Sequence, residues 1–378
     1  MAKNKRIYYA AQQVGIKADG DSGQFTAIHG VQSVSMTTNF NLNQVFELGQ
    51  LEIYENIEDI PDVEISLTKV LDGYPLIYHL ATMGATTTSP TLAGRSNSKC
   101  LFGLAIFSDT ADAAEGTPNN VVQCSGMFVN SVTYNFPADD NFTEEVTLVG
   151  NDKVWANTLG YGDPLGTLPT PSFDGKFSST VDDGPQGAGG VNRRENFVFD
   201  STLDPYCTKL PPEVVGIGLD GYNVKDVNGE YGAHINSITA SVDMGRETID
   251  ELGRFAPYHR FLTFPTEVTC EIEVTSISGD MVSATEAGIY TTETDQCAIV
   301  GNLKNRTIRL ATCEGTLIYL GAKNKLQSVN YGGGDTGGGN ATVTYTYSNF
   351  NSFTVTHSGD PHENGNAWWR NAESSGYA

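Results

Sequence analysis

The feature that most constrains the fold is an internal repeat. The segment 31–51, VQSVSMTTNFNLNQVFELGQL, aligns without a gap with the segment 235–255, INSITASVDMGRETIDELGRF. The tripeptide Glu-Leu-Gly stands at the same place in both, at 47–49 and 251–253. Self-similarity at a fixed spacing is the sequence sign of a structural unit that occurs more than once, so the repeat has to be explained before any single motif.

Shorter matches follow in the same order further along the chain. They pair Pro61–Ile65 with Pro265–Cys270 after one inserted residue, Ser131–Tyr134 with Ser328–Tyr331, and Val146–Leu148 with Val343–Tyr345. The shared order predicts two copies of one domain, the first at residues 1–158 and the second at 197–357. The two ranges also have similar net charges, since the first holds 8 basic and 18 acidic residues and the second holds 10 basic and 19 acidic residues.

Two segments fall outside the predicted copies. Residues 159–196 are rich in Gly, Pro and Asp and have no apolar period, which is typical of a linker or an extended arm. Residues 358–378 form a polar C-terminal tail that carries the pair Trp368 and Trp369. This pair either docks on a neighbouring molecule or packs on its own domain, and the sequence leaves both open.

Strand patterns dominate each copy. Over Asp62–Lys69 and again over Glu267–Thr275, apolar and polar side chains alternate as they do in a strand with one buried face. Two hairpins are expected, Asn130–Asn135 with Thr143–Val149 and Gln327–Tyr331 with Ala341–Tyr347. Helical spacing predicts one helix, Gly73–Met83, with Pro75 in its first turn. The predicted fold class is therefore all-β with minor α: two tandem β-sandwich domains, each with one flanking helix.

Charge and composition exclude several classes of protein. The chain has 22 Lys and Arg against 45 Asp and Glu, a net charge of −23, so its surface does not suit binding to nucleic acid through phosphate neutralisation. The longest apolar run, about Cys100–Phe107, is too short to span a bilayer, and the N-terminus lacks the apolar core of a signal peptide. We therefore expect no membrane association and a chain that is made and kept in a cytosol.

The six cysteines have no metal-binding spacing such as CxxC. In a reducing compartment they are expected to be small buried apolar residues. A disulfide between Cys100 and Cys124, or between Cys297 and Cys313, is the alternative.

Catalytic motifs are missing. The sequence contains no GxSxG, no GxGxxG after a strand, no Walker lysine motif and no HExxH. The glycine-rich stretch 332–340, GGGDTGGGN, lacks the following lysine and helix of a phosphate loop, so a hairpin turn is the better interpretation. Glu144 and Glu145 are adjacent in a predicted strand and point to opposite faces, so they do not form a catalytic pair. We expect no enzyme activity, no cofactor and no metal.

Two segments resemble a known family. Residues 29–85, HGVQSVSMTTNFNLNQVFELGQLEIYENIEDIPDVEISLTKVLDGYPLIYHLATMGA, and residues 141–155, NFTEEVTLVGNDKVW, are similar to the major tail tube proteins of tailed bacteriophages. The resemblance is close over residues 14–155 and weaker over 214–350. It implies a small two-sheet β-sandwich with one flanking helix and a long loop that reaches the neighbouring ring.

In that family, six domain copies form a ring, and stacked rings form a tube whose β-barrel wall surrounds the channel for DNA. The usual member has one such domain, whereas this chain has two, a pattern also found in some long-tailed phages. The resemblance therefore implies a trimeric ring with pseudo-six-fold symmetry, with a hexameric ring as the alternative. On ring closure the strands would form a closed barrel wall.

The same resemblance implies a structural virion protein. Its partners would be other copies of itself and other tail proteins: a terminator, a baseplate or tip and, in sheathed tails, the sheath. Double-stranded DNA and a tape measure protein would pass through the lumen without specific binding. The location would be the virion tail, with assembly in the host cytoplasm. Two alternatives stay open: the inner tube of a contractile injection device, and a β-sandwich adhesin or other binding module.

Two loops are candidates for contacts between rings. Asn39–Ile60 and its counterpart Asp243–Phe264 each lie between two predicted strands and carry apolar residues beside charged ones, which is typical of a partner surface. A loop folded onto its own sandwich is the alternative. The candidate contact residues are Phe46, Leu48, Leu51, Ile53, Ile249, Leu252, Phe255 and Phe261.

The polar faces of the repeated strands are candidates to line the lumen. An acidic wall repels DNA weakly everywhere, so DNA would slide along it without sticking. Alternation defines two faces without showing which one meets the channel, so an outward position in ordinary solvent is the alternative. The lumen candidates are Ser33, Ser35, Thr37, Asp62, Glu64, Ser66, Thr68, Glu145, Thr147, Ser237, Thr239, Ser241, Asp243, Glu267, Thr269, Glu271, Glu273 and Thr344.

Overall fold

The computed structural model describes most of both predicted copies. The described residues are 6–19, 25–82, 91–108, 118–157, 190–215, 234–253, 257–276, 303–334, 336 and 338–357. Most of the predicted linker, the tail with Trp368 and Trp369, and also Phe255 and Cys297, lie outside them. The predicted domain boundaries stay a prediction.

The described residues are mainly strands. The first half of the chain contains β1 (Gln12–Ala18), β2 (Thr26–Ala27), β3 (Val31–Asn39), β4 (Leu42–Phe46), β5 (Ile53–Glu58), β6 (Asp62–Val70), helices α1 (Ile77–Ala81) and α2 (Leu92–Arg95), β7 (Cys100–Ile106), β8 (Asn120–Pro137), β9 (Thr143–Gly150) and β10 (Val154–Asn157). The second half contains helix α3 (Pro212–Val215), β11 (His234–Asp243), β12 (Glu247–Ile249), β13 (His259–Phe261), β14 (Glu267–Thr275), β15 (Arg309–Ala311), β16 (Leu317–Tyr319), β17 (Lys325–Gly332), β18 (Thr342–Phe350) and β19 (Thr354–Thr356). The all-β class is confirmed.

One antiparallel sheet runs through both halves. Its strand order is β3-β6-β9-β8, which we call the first set, followed by β11-β14-β18-β17, the second set. The N-terminal part of β8 leaves this sheet and pairs with β7 and β10, while its C-terminal part pairs with β9 and β11. Gly126, with a φ of 63°, lies within β8 where the strand changes sheets, a conformation that glycine adopts at little cost.

Two smaller layers cover the large sheet. Over the first half, β7, β1 and β2 continue from β8, and over the second half β15, β16 and β19 form a three-stranded sheet. The apolar faces meet in one cluster of buried side chains drawn from both halves, for example Ile65 and Phe102 from the first and Ile272, Ile318 and Val355 from the second. Burial of these side chains from water is the main stabilising contribution to such a fold.

Helix α1 is shorter than the sequence predicts. The prediction was Gly73–Met83, whereas the helix spans Ile77–Ala81 and its N-cap Leu76 is extended. No side chain at the N-cap supplies a cap; instead the buried Glu144 carboxylate accepts hydrogen bonds from the backbone of Ile77 at 2.7 Å and of Tyr78 at 3.1 Å. The helix therefore begins where a distant carboxylate satisfies its first amides. In the second half α3 precedes β11, and residues 277–302, which follow β14, are not described.

The two sets share their irregularities as well as their strand order. The β3–β6 register shifts between Val31 and Ser33, and the β11–β14 register shifts between Ile235 and Ser237. Likewise, β8–β9 shifts between residues 129 and 131, and β17–β18 between residues 326 and 328. Because bulges fix the register, these shifts align the two sets position by position.

This alignment corrects one of the sequence matches. Thr147 lies opposite Ser131 in the first set, and Thr346 lies opposite Ser328 in the second. Val146–Leu148 therefore corresponds to 345–347, and the predicted match with Val343–Tyr345 is wrong by two residues. A shift of two keeps every side chain on its face, so alternation could not detect the error.

The cysteines behave as buried apolar residues. Cys100, Cys124, Cys207 and Cys270 are buried and free, as is the partly buried Cys313, so the alternative Cys100–Cys124 disulfide is wrong. Burial raises the pKa of the Cys100 and Cys124 thiols to about 12. Among the described residues, no helix is long and apolar enough to cross a membrane.

Candidate assembly surfaces

The large sheet has one polar face. One cross-strand row on this face passes through seven strands in succession: Ser33, Thr68, Glu145, Thr133, Ser241, Thr269 and Ser348. Neighbouring hydroxyls contact each other, as between Ser241 and Thr269 at 2.7 Å. The opposite face carries the buried side chains of the core. The sequence alternation of both copies thus combines into one continuous hydroxyl-rich and carboxylate-bearing surface, which we call the polar face.

Most lumen candidates lie on the polar face. By register these are Ser33, Ser35, Thr37, Glu64, Ser66, Thr68, Glu145, Thr147, Ser237, Thr239, Ser241, Thr269, Glu271, Glu273 and Thr344. Asp62, Asp243 and Glu267 stand at strand ends, and the Asp243 carboxylate accepts a hydrogen bond from the Gly245 amide at 3.0 Å. That the polar face meets a channel stays a prediction.

Several polar-face residues on β8, β17 and β18 were not among the lumen candidates. These are Ser131, Thr133 and Asn135 on β8, Ser328 and Asn330 on β17, and Thr346 and Ser348 on β18. The alternation TVTYTYS at 342–348 carried the signal for β18. For β8, the face changes at the bulge after Val129, which hides the period.

Buried carboxylates in each half have structural partners. Glu144 accepts the Tyr134 hydroxyl at 3.0 Å besides the α1 amides, and Glu213 accepts the Tyr347 hydroxyl at 2.8 Å and pairs with Arg306 at 2.8 Å. Burial raises the pKa of Glu144, against these hydrogen bonds, and raises that of Glu314 to about 7. In the described part of the chain, no group of His, Cys, Asp and Glu is arranged to hold a metal ion.

Strands β3 and β17 are the open edges of the large sheet, since each has a ladder on one side only in the described residues. The pairing of β8 with β11, which we call the inner seam, joins the last strand of the first set to the first strand of the second. At the inner seam, Met244 is 2% exposed and Tyr134 is fully buried. The corresponding residues at the open edges, Phe40 and Tyr331, are 63% and 55% exposed.

Both predicted contact loops are β-hairpins. The first hairpin is β4–β5, in which every side chain is exposed, and the second is β12–β13. Among the contact candidates, Phe46, Leu48, Leu51, Ile53, Ile249, Leu252 and Phe261 are exposed in the single chain, and Phe255 lies outside the described residues. The described apolar side chains among these candidates are therefore not buried against their own sandwich. Contact between rings stays a prediction.

Comparison with known proteins gives only distant likenesses. No family model and no curated protein matches the chain. Solved structures with some likeness include the anti-feeding prophage tube terminating cap (12% identity, TM-score 0.29, covering 42% of this chain and 95% of that one) and the sheath/tube terminator of an extracellular contractile injection system (14%, 0.30, 41% and 99%). Another is a chain from the virion of a native gene transfer agent (13%, 0.25, 38% and 95%).

These neighbours are components of contractile injection systems and phage-like particles.

Proposed function

We propose that this chain is a structural subunit of a phage-type tail tube, in which copies join edge to edge into rings and the rings stack around a channel for DNA. One observation carries the proposal. The inner seam already joins β8 to β11, and the strands left open, β17 and β3, are their counterparts in the alignment of the two sets. The two edges of the large sheet therefore carry the two halves of a junction that the chain already makes once, at the inner seam.

A junction of this kind is head-to-tail, because β17 of one chain would meet β3 of the next. Head-to-tail contacts generate a closed ring when the rotation between subunits permits, and closure removes the edges that otherwise invite aggregation. The inner seam supplies the register. Its pair Tyr134–Ala240 predicts that Tyr331 of one chain lies opposite Met36 of the next.

Three chains would supply six four-stranded sets, so the proposed ring is trimeric with pseudo-six-fold symmetry. Within it, we propose that the polar face lines the lumen and that the hairpin tips contact the adjacent ring. The supporting observations are a continuous polar surface across both sets and exposed apolar side chains on both hairpins. DNA and a tape measure protein would pass this surface without specific binding. The remaining proposed partners are the other tail proteins, and the chain itself would be neither an enzyme nor a cofactor protein.

Cysteine cross-linking combined with electron microscopy tests ring closure. The variant Met36→Cys/Tyr331→Cys should form disulfide-linked trimers under mild oxidation, because directly opposed residues are within disulfide reach. The control Thr37→Cys/Tyr331→Cys places the two thiols on opposite faces and should not cross-link. Averaged images should show three chains per ring. Six chains would overturn the trimer, and a chain that stays monomeric at every concentration would overturn the tube itself.

The hairpin tips are tested by Phe46→Asp/Leu48→Asp. Charges at these exposed positions should leave rings intact and prevent their stacking into tubes, which electron microscopy distinguishes directly. Asp140→Lys/Glu195→Lys, at exposed positions outside the hairpins, is the control for altered charge. Normal tubes from the Phe46→Asp/Leu48→Asp variant would refute the proposed contact between rings.

A further inference from the structure

The second hairpin is fastened to the first half of its own chain. The Arg260 guanidinium donates to the Asp62 carboxylate at 2.7 Å. Arg246 donates to the Val129 carbonyl at 2.5 Å and to the Ser96 carbonyl at 2.8 Å. These contacts fix the base of the hairpin beside the inner seam and leave its tip exposed.

Phe128 is the centre of this fastening. The Arg246 guanidinium carbon lies 4.8 Å from the centre of the Phe128 ring, a cation–π distance. The His259 ring meets the same ring edge-on, with centroids 5.1 Å apart. Phe128 is thereby buried, although it lies on β8 opposite Val149, away from the core side.

The first hairpin matches the second position by position. Asn41 and Gly245 have φ values of 44° and 45°, and Gly49 and Gly253 have φ values of 93° and 87°. Cross-strand pairs correspond too, since Val45 lies opposite Glu55 and Ile249 lies opposite His259. Glu55 therefore occupies the place of His259, and Leu42 the place of Arg246.

The receiving surface also has a counterpart. Phe128 lies opposite Val149 in the first set, and Lys325 lies opposite Ser348 in the second, so Lys325 occupies the place of Phe128. One step beyond the matched β9–β18 positions, Phe350 takes the place of Asn151, which accepts a hydrogen bond from Arg260 at 3.0 Å. Lys325 is exposed and Phe350 is 57% exposed.

Glu55 and Lys325, at the positions that the alignment matches to His259 and Phe128, carry opposite charges. Residues 41–60, which contain the first hairpin, hold five acidic residues and no lysine or arginine, whereas the matching residues 245–264 hold Arg246, Arg254 and Arg260. By position, the Glu55 carboxylate corresponds to the His259 ring, and the Lys325 ammonium corresponds to the Phe128 ring. In the same alignment Asn56 takes the place of Arg260, whose partner Asn151 corresponds to Phe350, and the exposed Leu42 takes the place of Arg246.

We infer that the first hairpin is a clasp between chains: its base seats on Lys325 and Phe350 of a second copy, with Glu55 paired to Lys325. The inference rests on the proposed ring closure and adds to it a docking surface outside the strand pairing. The base of the hairpin then holds the ring together sideways, while the tip, Phe46 to Ile53, stays available to the adjacent ring. Each chain thus fastens one hairpin in cis and the other in trans.

Cross-linking tests the clasp independently of ring closure. The variant Glu55→Cys/Lys325→Cys should give disulfide-linked trimers under mild oxidation, whereas Glu52→Cys/Lys325→Cys, with its first thiol at the hairpin tip, should not. If Met36→Cys/Tyr331→Cys links chains and Glu55→Cys/Lys325→Cys does not, the clasp is wrong and ring closure stands. If neither links chains, ring closure itself fails.

A charge exchange gives a second measurement. Lys325→Glu and Glu55→Lys should each weaken ring association by roughly fivefold per seam at low salt, the size expected for an exposed ion pair. The double variant should restore association, and the control Glu52→Lys should match the wild type. The readout is the trimer fraction against concentration in mass photometry. Single variants without effect, or a double variant without recovery, would overturn the ion pair.

Discussion

The inner seam and the open edges are made from corresponding strands, but only the inner seam is covered by a neighbouring strand. At the inner seam β11 has a strand on each side, and Met244 and Tyr134 are buried. At the open edges β3 and β17 have a strand on one side, and Phe40 and Tyr331 stand in solvent. The inner seam therefore serves as a template for the contact that we propose between β17 of one chain and β3 of the next.

The largest effect is expected from a charge at the inner seam. Met244→Asp places a carboxylate at a buried site and should destabilise the fold by about 3 to 5 kcal/mol. Phe40→Asp, at the corresponding exposed position, should change the free energy of unfolding of the single chain by less than about 0.5 kcal/mol, yet it should abolish rings. Urea unfolding and mass photometry measure the two effects. Equal losses of stability in both variants would contradict the interpretation of Phe40 as the uncovered counterpart of Met244.

A smaller effect is expected from removing one hydroxyl. Tyr134→Phe deprives the buried Glu144 of a hydrogen bond at 3.0 Å and should cost about 1 to 3 kcal/mol in unfolding free energy. Tyr331→Phe, its counterpart at the open edge, should leave the stability of the single chain unchanged. Thermal and urea unfolding of the two variants provide the comparison. A Tyr134→Phe variant as stable as the wild type would show that the polar contact contributes nothing.

A still smaller effect is expected at low pH. Burial opposes ionisation of Asp62, but hydrogen bonds from Asn41 and Arg260 outweigh it and lower the pKa of this carboxyl. A lowered pKa stabilises the fold above the usual aspartate range, and this contribution is lost as pH falls through the folded-state pKa. Since the Asp62 side chain is half-exposed, we expect less than about 1 kcal/mol.

The variant Arg260→Asn isolates this effect, because it gives the second hairpin the residue that the first has at position 56. It should reduce the contribution of Asp62 to acid sensitivity below pH 4 and raise hydrogen exchange across β12–β13 toward that of β4–β5. Unchanged exchange would show that Arg260 does not fasten the hairpin.

The polar face should tolerate charge reversal without loss of fold or rings. Glu64→Lys/Glu271→Lys/Glu273→Lys alters only polar-face side chains, so tubes should form. If the face lines the channel, DNA ejection from particles should slow, most strongly at low salt where screening is weak. Three reversals at Asp19, Asp140 and Glu195 are the matched control. Normal ejection by the triple polar-face variant at low ionic strength would exclude the luminal position.

The sequence was sufficient to predict strands and the two hairpin pairings β8–β9 and β17–β18, but not the pairing of strands far apart in the chain. Alternation correctly predicted β6 and β14, and it separated buried Glu144 from exposed Glu145. It could not predict the inner seam, because strand pairing uses backbone groups that every residue has. Nor could it predict the cap of α1, since the carboxylate that binds Ile77 comes from a residue far away in the chain.

Some features of the candidate surfaces could likewise be predicted from the sequence, and others could not. Membership of the polar face followed from a period of two, and exposed apolar residues of the hairpins followed from their position between strands. The fastening of the second hairpin by Arg246 had no sequence signal, because its acceptors are the backbone carbonyls of Ser96 and Val129. The roles of Lys325 and Phe350 emerge only when the two sets are aligned by their bulges.

The unlike hairpins bear on how rings can be oriented when stacked. In a ring of three chains, an acidic hairpin without arginine alternates with one that carries Arg246 and Arg260. Rotating one ring over another by a sixth of a turn would exchange the two kinds, while a third of a turn would restore the starting arrangement. In the proposed ring, the energy of rotation against its neighbour would therefore repeat three times per turn, which would oppose slipping by one hairpin, and a six-fold ring of identical domains would have no such preference.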